Sequence, residues 1–385
     1  MKSLAATFHL THDCNLRCTY CYTGEKFKKE MSHETASHAV DFCLQEAGSR
    51  YVDLLEVVFF GGEPLMKYDL LTDIAKMFYE RRPENLHLSF KMSTNGTLLT
   101  PERIRELAHL QVFVSMSIDG DPKVIDAQRP QVNGKSPWLK LEKIIPEFIK
   151  YNPCANVQCV VTPQSASVVD ESIKWIYDLG FSYISIAIDY TADWKRDDMR
   201  QLKAALQRAG EWYVGETLKE KKFYLNCFDE TINTHAKNPV TNEEKCTAGV
   251  GQFSISASGK LYPCVQFVKE DENDSFVIGD IYKGLMDSKV NHFSSCASAS
   301  KPECSGCAIE ERCSNWCSCI SWSTTGQLNG TSPVLCEYQR ILMPIADSVA
   351  NSLWKKKNPV FIHKHYNEKY PFLNFAETAI LQEVE

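Results

Sequence analysis

Ten of the sixteen cysteines fall into two spacing patterns, which constrain this chain more than any other feature. The first is Cys14-x3-Cys18-x2-Cys21, directly after the first apolar run. The second comprises Cys246, Cys264, Cys304, Cys307, Cys313, Cys317 and Cys336. Iron–sulfur clusters favour thiolate ligands, normally four to a cluster. A motif of three leaves one iron open to a substrate or cofactor. Structural zinc also uses grouped cysteines, but it favours two short knuckles. Cys304-x2-Cys307 is one knuckle, while the spacings to Cys313 and Cys317 fit zinc poorly.

The first pattern, with Tyr20 before its last cysteine, resembles the signature of radical SAM enzymes. The resemblance implies a 4Fe–4S cluster on Cys14, Cys18 and Cys21. S-adenosylmethionine would chelate the fourth iron through its amino and carboxylate groups. Its cleavage would yield a 5′-deoxyadenosyl radical that takes a hydrogen atom from an unactivated position. The cofactor carries that chemistry; the protein supplies placement and exclusion of water.

Residues 57–60 form an apolar run of valine and phenylalanine, hence a buried strand, followed by Gly61-Gly62-Glu63-Pro64. Glycines suit a strand end that a ligand approaches closely. This stretch is similar to the family's GGEP motif, which implies that Gly61, Gly62 and Glu63 receive the methionyl amino group. Ser93-Thr94-Asn95-Gly96 ends another strand, Ser117-Ile118-Asp119-Gly120 the next, and Arg129-Pro130 follows. Likeness to the peptide-modifying branch implies that Ser117 and Arg129 hold the methionyl carboxylate, with Ser93, Asn95 and Asp119 in the same site. A planar guanidinium matches a carboxylate well.

The second cysteine set resembles the SPASM domain, which holds two auxiliary clusters. By that likeness Cys304, Cys307, Cys313 and Cys336 complete one cluster, and Cys246, Cys264 and Cys317 supply three ligands to the other. Cys227 or Cys319 as its fourth ligand, or an open iron, are all left by the spacing. The cofactor expectation is three 4Fe–4S clusters, about twelve iron per chain, with S-adenosylmethionine. Cys43, Cys154, Cys159 and Cys296 fit no cluster spacing and read as buried thiols or bystanders. None of the ten histidines forms a ligand motif, and His235, His363 and His365 read as surface residues.

A chain of 385 residues is long enough for about two domains. Its net charge of −7, without a basic stripe, argues against a nucleic-acid partner. No apolar run approaches the ~20 residues of a membrane helix, and the N-terminus lacks a signal-peptide apolar region. So many thiols suit a reducing cytoplasm. Strand patterns over residues 5–10, 55–60, 88–92, 112–117, 157–161 and 183–188 alternate with helical ones over 33–47, 70–79, 101–110, 138–151 and 168–179. Six such units imply an α/β fold, a partial (β/α)6 TIM-like barrel with ligands at the C-terminal strand ends. A helix over 199–219 leads out of it. The expected domains are a radical SAM core over 1–220, a small cysteine-rich SPASM auxiliary-cluster domain over 221–340, and a C-terminal helix and tail over 341–385. Residues 253–256 and 260–263 read as a hairpin that brings Cys264 toward the barrel mouth. Aromatic density in the tail over 358–385 implies that it packs on the body.

The resemblance implies an oxidoreductase-type peptide maturase that abstracts hydrogen from a residue of a ribosomally made peptide and forms a thioether or carbon–carbon crosslink. Its partners would be a peptide or protein substrate, an electron donor such as flavodoxin or ferredoxin, and either a separate leader-recognition protein or none, with the groove alone recognising the peptide. Formylglycine formation, as in anaerobic sulfatase maturases, is the alternative. In those enzymes an aspartate follows the hairpin cysteine, whereas Val265 follows Cys264 here. A non-catalytic electron-transfer protein is a further alternative, but it would have no use for the S-adenosylmethionine motifs.

Overall fold

The computed structural model describes residues 2–236, 246–272, 274–367 and 369–370. The strands, in chain order, are β1 (Ser3–His9), β2 (Leu54–Phe60), β3 (His87–Thr94), β4 (Val112–Ser117), β5 (Asn156–Val161), β6 (Tyr183–Ile188), β7 (Tyr224–Leu225), β8 (Gln252–Ile255), β9 (Lys260–Tyr262), β10 (Gly279–Asp280) and β11 (Gly284–Leu285). The helices are α1 (His33–Ser49), α2 (Tyr68–Arg81), α3 (Pro101–His109), α4 (Pro122–Gln128), α5 (Trp138–Tyr151), α6 (Val169–Asp178), α7 (Arg196–Leu218), α8 (Asn226–Ala236), α9 (Asp287–Ala297), α10 (Ser318–Thr325), α11 (Pro333–Lys355) and α12 (Pro359–Tyr366). Packing divides the chain into two compact units. The first comprises Met1–Ser117, Gln128–Asn152 and Cys246–Ser300; the second comprises Ile118–Ala127, Pro153–Lys245 and Lys301–Glu385.

In the first unit β1 to β4 run parallel, side by side. Their inward side chains (Leu4, Ala6, Phe8, Leu55, Val57, Phe59, Phe90, Met92, Val114 and Met116) are almost wholly buried. Phe8 meets Phe78 of α2 edge-on at 5.8 Å, and Phe59 stacks on Phe90 at 5.9 Å. Each of the leucine, valine, phenylalanine and methionine side chains contributes roughly 1.5–3 kcal/mol of burial. α1 starts at Ser32, whose hydroxyl accepts the Thr35 N–H at 3.0 Å. α3 starts at Pro101, where a missing N–H costs nothing.

The hairpin forms as β8 and β9, with Gly259 in the left-handed region at φ +86°. β8 also pairs in parallel with β1, extending the sheet. The hairpin turn therefore lies at the C-terminal strand edge. β9 runs back antiparallel to β8, so the chain heads away from the hairpin turn before Cys264. The chain then returns. Lys269 donates to the Tyr22 carbonyl at 3.1 Å, and Lys29 pairs with Asp271 at 2.9 Å.

In the second unit β5, β6 and β7 run parallel. α11 packs on α7 and α8, and α12 packs on α8. A buried Asp229 ties these helices together. It accepts from the Tyr213 hydroxyl at 2.6 Å and the Leu225 N–H at 2.7 Å, and it pairs with Lys364 at 2.7 Å. Burial works against its charge, but Lys364 and His365 outweigh this and hold its carboxyl at about 2. His365 is therefore a core residue, 1% exposed, and corrects the surface assignment; His235 and His363 are exposed as expected. The tail is anchored by buried Phe361 and by Tyr366 against Trp354. Phe372 and Phe375 lie outside the described residues.

Candidate functional site

Because β1 to β4 are parallel, the segments after His9, Phe60, Thr94 and Ser117 all emerge at one edge. The Cys14 loop is locked there by backbone. Gly62 N–H donates to Thr11 O at 2.7 Å, and Glu63 N–H donates to Asp13 O at 3.0 Å. A Cβ on Gly62 would sit 2.1 Å from Asp13 O, and one on Gly61 would sit 2.5 Å from Thr11 O. The cysteine loop itself therefore requires both glycines. On its other side Arg17 N–H donates to Pro130 O at 2.8 Å, and Thr19 N–H to Gln128 O at 2.9 Å.

Glu63 is 1% exposed. Its carboxylate accepts the Leu65 N–H at 3.0 Å, the Thr94 hydroxyl at 2.7 Å and the Asn95 N–H at 2.8 Å. Burial raises its carboxyl above the usual range, opposed by these donors and by Arg129. Asn95 also donates to Asn15 at 3.0 Å and reaches Cys14 Sγ at 4.0 Å, while Asn15 donates to Thr97 at 2.7 Å. This chain of amides joins the end of β3 to the first cysteine. Arg129 donates to the Tyr20 hydroxyl, with its guanidinium 5.8 Å from that ring. Ser93 and Ser117 sit half-buried at the ends of β3 and β4. Asp119 belongs to the second unit, where its carboxylate accepts the Val160 N–H at 3.0 Å.

The three thiols differ. Burial pushes Cys14 up to about 12. Burial opposes ionisation of Cys21 too, but the Thr23 hydroxyl and the Lys26 ammonium, 3.1 Å from Cys21 Sγ, outweigh it and hold this thiol below its ordinary value. Cys18 is half-buried. A buried Glu63 and two glycines that admit the loop suit a cluster held by Cys14, Cys18 and Cys21.

Of the second set, Cys246 and Cys264 lie in the first unit and the other five in the second. Asn315 donates to Cys304 Sγ at 3.5 Å, Thr331 Oγ1 lies 3.8 Å from the same sulfur, and Arg340 donates to Cys307. Burial pushes Cys313 up to about 11. A hydrogen bond from Cys319 holds Cys317 down at about 6 against burial. Cys227 and Cys319 are both buried. Among the described residues no three His, Cys, Asp or Glu side chains gather tightly enough to hold a metal ion. A cluster is larger than an ion and keeps its thiolates apart, and polar hydrogens aimed at cysteine sulfurs suit it. A cavity of about 880 Å³ in the second unit lies between α7 and α11, and no motif residue lines it.

The sequence reading missed Asn15, Thr97 and Lys26, which carry no spacing signal. It also missed His9 and His12, whose rings stack at 4.4 Å with all four ring nitrogens buried and unpartnered. Burial, then His12, pushes His9 down to about 3.

The Radical SAM superfamily model matches residues 8–176. The cysteine-type anaerobic sulfatase-maturating enzyme of Clostridium perfringens is 25% identical over 327 residues, 79% of this chain and 85% of its own. The mycofactocin maturase MftC of Mycolicibacterium smegmatis is 24% identical over 350 residues, 87% of this chain and 83% of its own. The structure of anSMEcpe with bound AdoMet superposes with a TM-score of 0.77 at 22% identity, covering 91% of this chain and all of that one. It shares the α/β fold with its parallel, partial-barrel sheet. Among the described residues no helix is long and apolar enough to cross a membrane.

Proposed function

We propose that this chain, whose residues 8–176 match the Radical SAM superfamily model, is a SPASM-type maturase that oxidatively modifies a ribosomally made peptide. The observation that carries the reading is the meeting of Cys14, Glu63, Asn15 and Asn95 in one largely buried hydrogen-bond network at the C-terminal strand edge. S-adenosylmethionine on a 4Fe–4S cluster would supply hydrogen-atom abstraction from an unactivated carbon.

This chain's own residues would do the rest. Cys14, Cys18 and Cys21 would hold the cluster. Glu63 would receive the methionyl amino group, with Gly61, Gly62, Ser93 and Asn95 beside it, while Ser117 and Arg129 would hold the carboxylate. Arg129 is already oriented by Tyr20. Asp119, committed to Val160, would act by shaping the chain after β4. Cys304, Cys307, Cys313 and Cys336 would hold one auxiliary cluster, and Cys246, Cys264 and Cys317 the other. A flavodoxin or ferredoxin in a reducing cytoplasm would supply the electron, and a separate protein could present the leader. A thioether or carbon–carbon crosslink is the product class favoured by Val265, which offers no base where sulfatase maturases have an aspartate.

The likeness to sulfatase-maturating enzymes over four-fifths of the chain keeps formylglycine formation as a second reading. The test is anaerobic reconstitution, reduction and S-adenosylmethionine. Release of 5′-deoxyadenosine is expected; its absence would refute the enzyme assignment. A cysteine-bearing sulfatase peptide then separates the readings. An aldehyde that a hydrazide traps would favour the second, whereas no aldehyde is expected under the first.

A further inference from the structure

Lys301 stands three residues before Cys304 at the start of the turn Pro302–Cys304. Its ammonium has three donors, and each finds an acceptor on a different segment. They are Asn315 Oδ1 at 3.1 Å, Ser321 Oγ at 2.9 Å and Gly330 O at 3.1 Å. Asn315 lies between Cys313 and Cys317, Ser321 lies in α10, and Gly330 precedes Thr331 and Cys336. Because the Asn315 oxygen faces Lys301, its amide hydrogens face Cys304 Sγ at 3.5 Å.

Lys301 is half-buried, and no carboxylate among the described residues forms an ion pair with it. The acidic groups facing it are the thiols of Cys304, Cys317 and Cys313, then Glu303. A half-buried cation without a carboxylate ion pair is costly. A four-thiolate cluster carries the negative charge that would complete it.

We infer that Lys301 is the internal counter-cation and positioning residue of the Cys304–Cys307–Cys313–Cys336 site, and that it makes a cluster there easier to reduce. This rests on the reading that those four thiolates hold a cluster. A nearby fixed cation and hydrogen bonds to the sulfurs both favour the state with the extra electron. Arg340, on Cys307, acts in the same sense from the exposed face of α11. The consequence is a direction for electron flow. After hydrogen-atom abstraction the substrate radical must lose one electron and one proton to give a closed-shell product. The proton would go to solvent, and the electron to this site in its oxidised form.

The test is redox potentiometry of the anaerobic holoenzyme, followed by electron paramagnetic resonance. The relevant signal is the one lost in the Cys304→Ala/Cys313→Ala double variant. In Lys301→Met the reduced fraction of that signal at a fixed poise should fall about tenfold, a midpoint lower by about 59 mV. Lys301→Arg should stay near wild type, and Asn315→Leu should move the same way by less. The Cys14 cluster should not shift in any of them. A fully loaded Lys301→Met protein with an unmoved midpoint overturns the inference. So does loss of this cluster's iron in Lys301→Met together with an unmoved midpoint in Asn315→Leu, because Lys301 would then be merely structural. If the double cysteine variant keeps wild-type iron, the cluster reading itself fails instead.

Discussion

The Cys14–Cys21 loop and the Cys304–Cys336 segment present the same thiol chemistry in opposite surroundings. The first is gripped by main chain. Four backbone hydrogen bonds of 2.7–3.0 Å hold it, and two glycines leave no space for a methyl group. The second is held by side chains. Lys301, Asn315, Thr331 and Arg340 hold short turns together, and a Cβ on Gly306 would meet nothing within 4 Å. A loop that must present one open iron to a cofactor benefits from a rigid main-chain seat. A site that only stores an electron needs charge compensation more than rigidity. Under the proposed function, the difference is what an organic ligand at the first site and a four-cysteine cluster at the second would require.

The sharpest break of this comparison is removal of the first thiols. Cys14→Ala/Cys18→Ala/Cys21→Ala should lose one cluster's iron and all S-adenosylmethionine cleavage, while the auxiliary signals remain. Anaerobic iron analysis and 5′-deoxyadenosine release measure the two halves. An unchanged iron count would show that this loop holds no cluster.

Next comes the main-chain seat. Gly62→Ala forces a Cβ toward Asp13 O and should destabilise the apoprotein by about 3 kcal/mol in urea unfolding, as overpacking does. Because the clash is with backbone, no side-chain rotation relieves it.

Arg129→Ala should weaken S-adenosylmethionine binding by roughly 1.5–3 kcal/mol, about ten- to a hundredfold, through loss of a charge-assisted contact. The iron content should stay intact. Isothermal titration of the reconstituted protein decides this, and unchanged affinity would remove Arg129 from the site.

The smallest effect belongs to the open segment. Gly306 has φ +76° and free space around it. Gly306→Ala should therefore cost only the left-handed backbone penalty, about 1 kcal/mol. A loss comparable to that of Gly62→Ala would erase the contrast between the two regions.

Much of this was legible in the order of residues. The cysteine spacings, the glycine pair after an apolar run and the alternation of strand and helix are local patterns, and Phe8, Phe59 and Phe90 are buried as their strand periodicity demands. The stop of each parallel strand puts its following motif at one edge, so Glu63 and Asn95 meet near Cys14 without any long-range information beyond topology.

What the tertiary structure alone decided are the partnerships between distant positions of unremarkable type. That β8 joins β1, and so adds the hairpin to the same sheet, depends on which sheet edge was left unpaired. His365 is polar and near the chain's end, yet it is core because its ring packs on Phe361 and its Nε2 lies 3.3 Å from the buried Asp229 carboxylate. Lys301 reads in sequence as any lysine. Only folding gathers Asn315, Ser321 and Gly330 around its ammonium, since three acceptors on three segments converge through packing and leave no periodic trace along the chain.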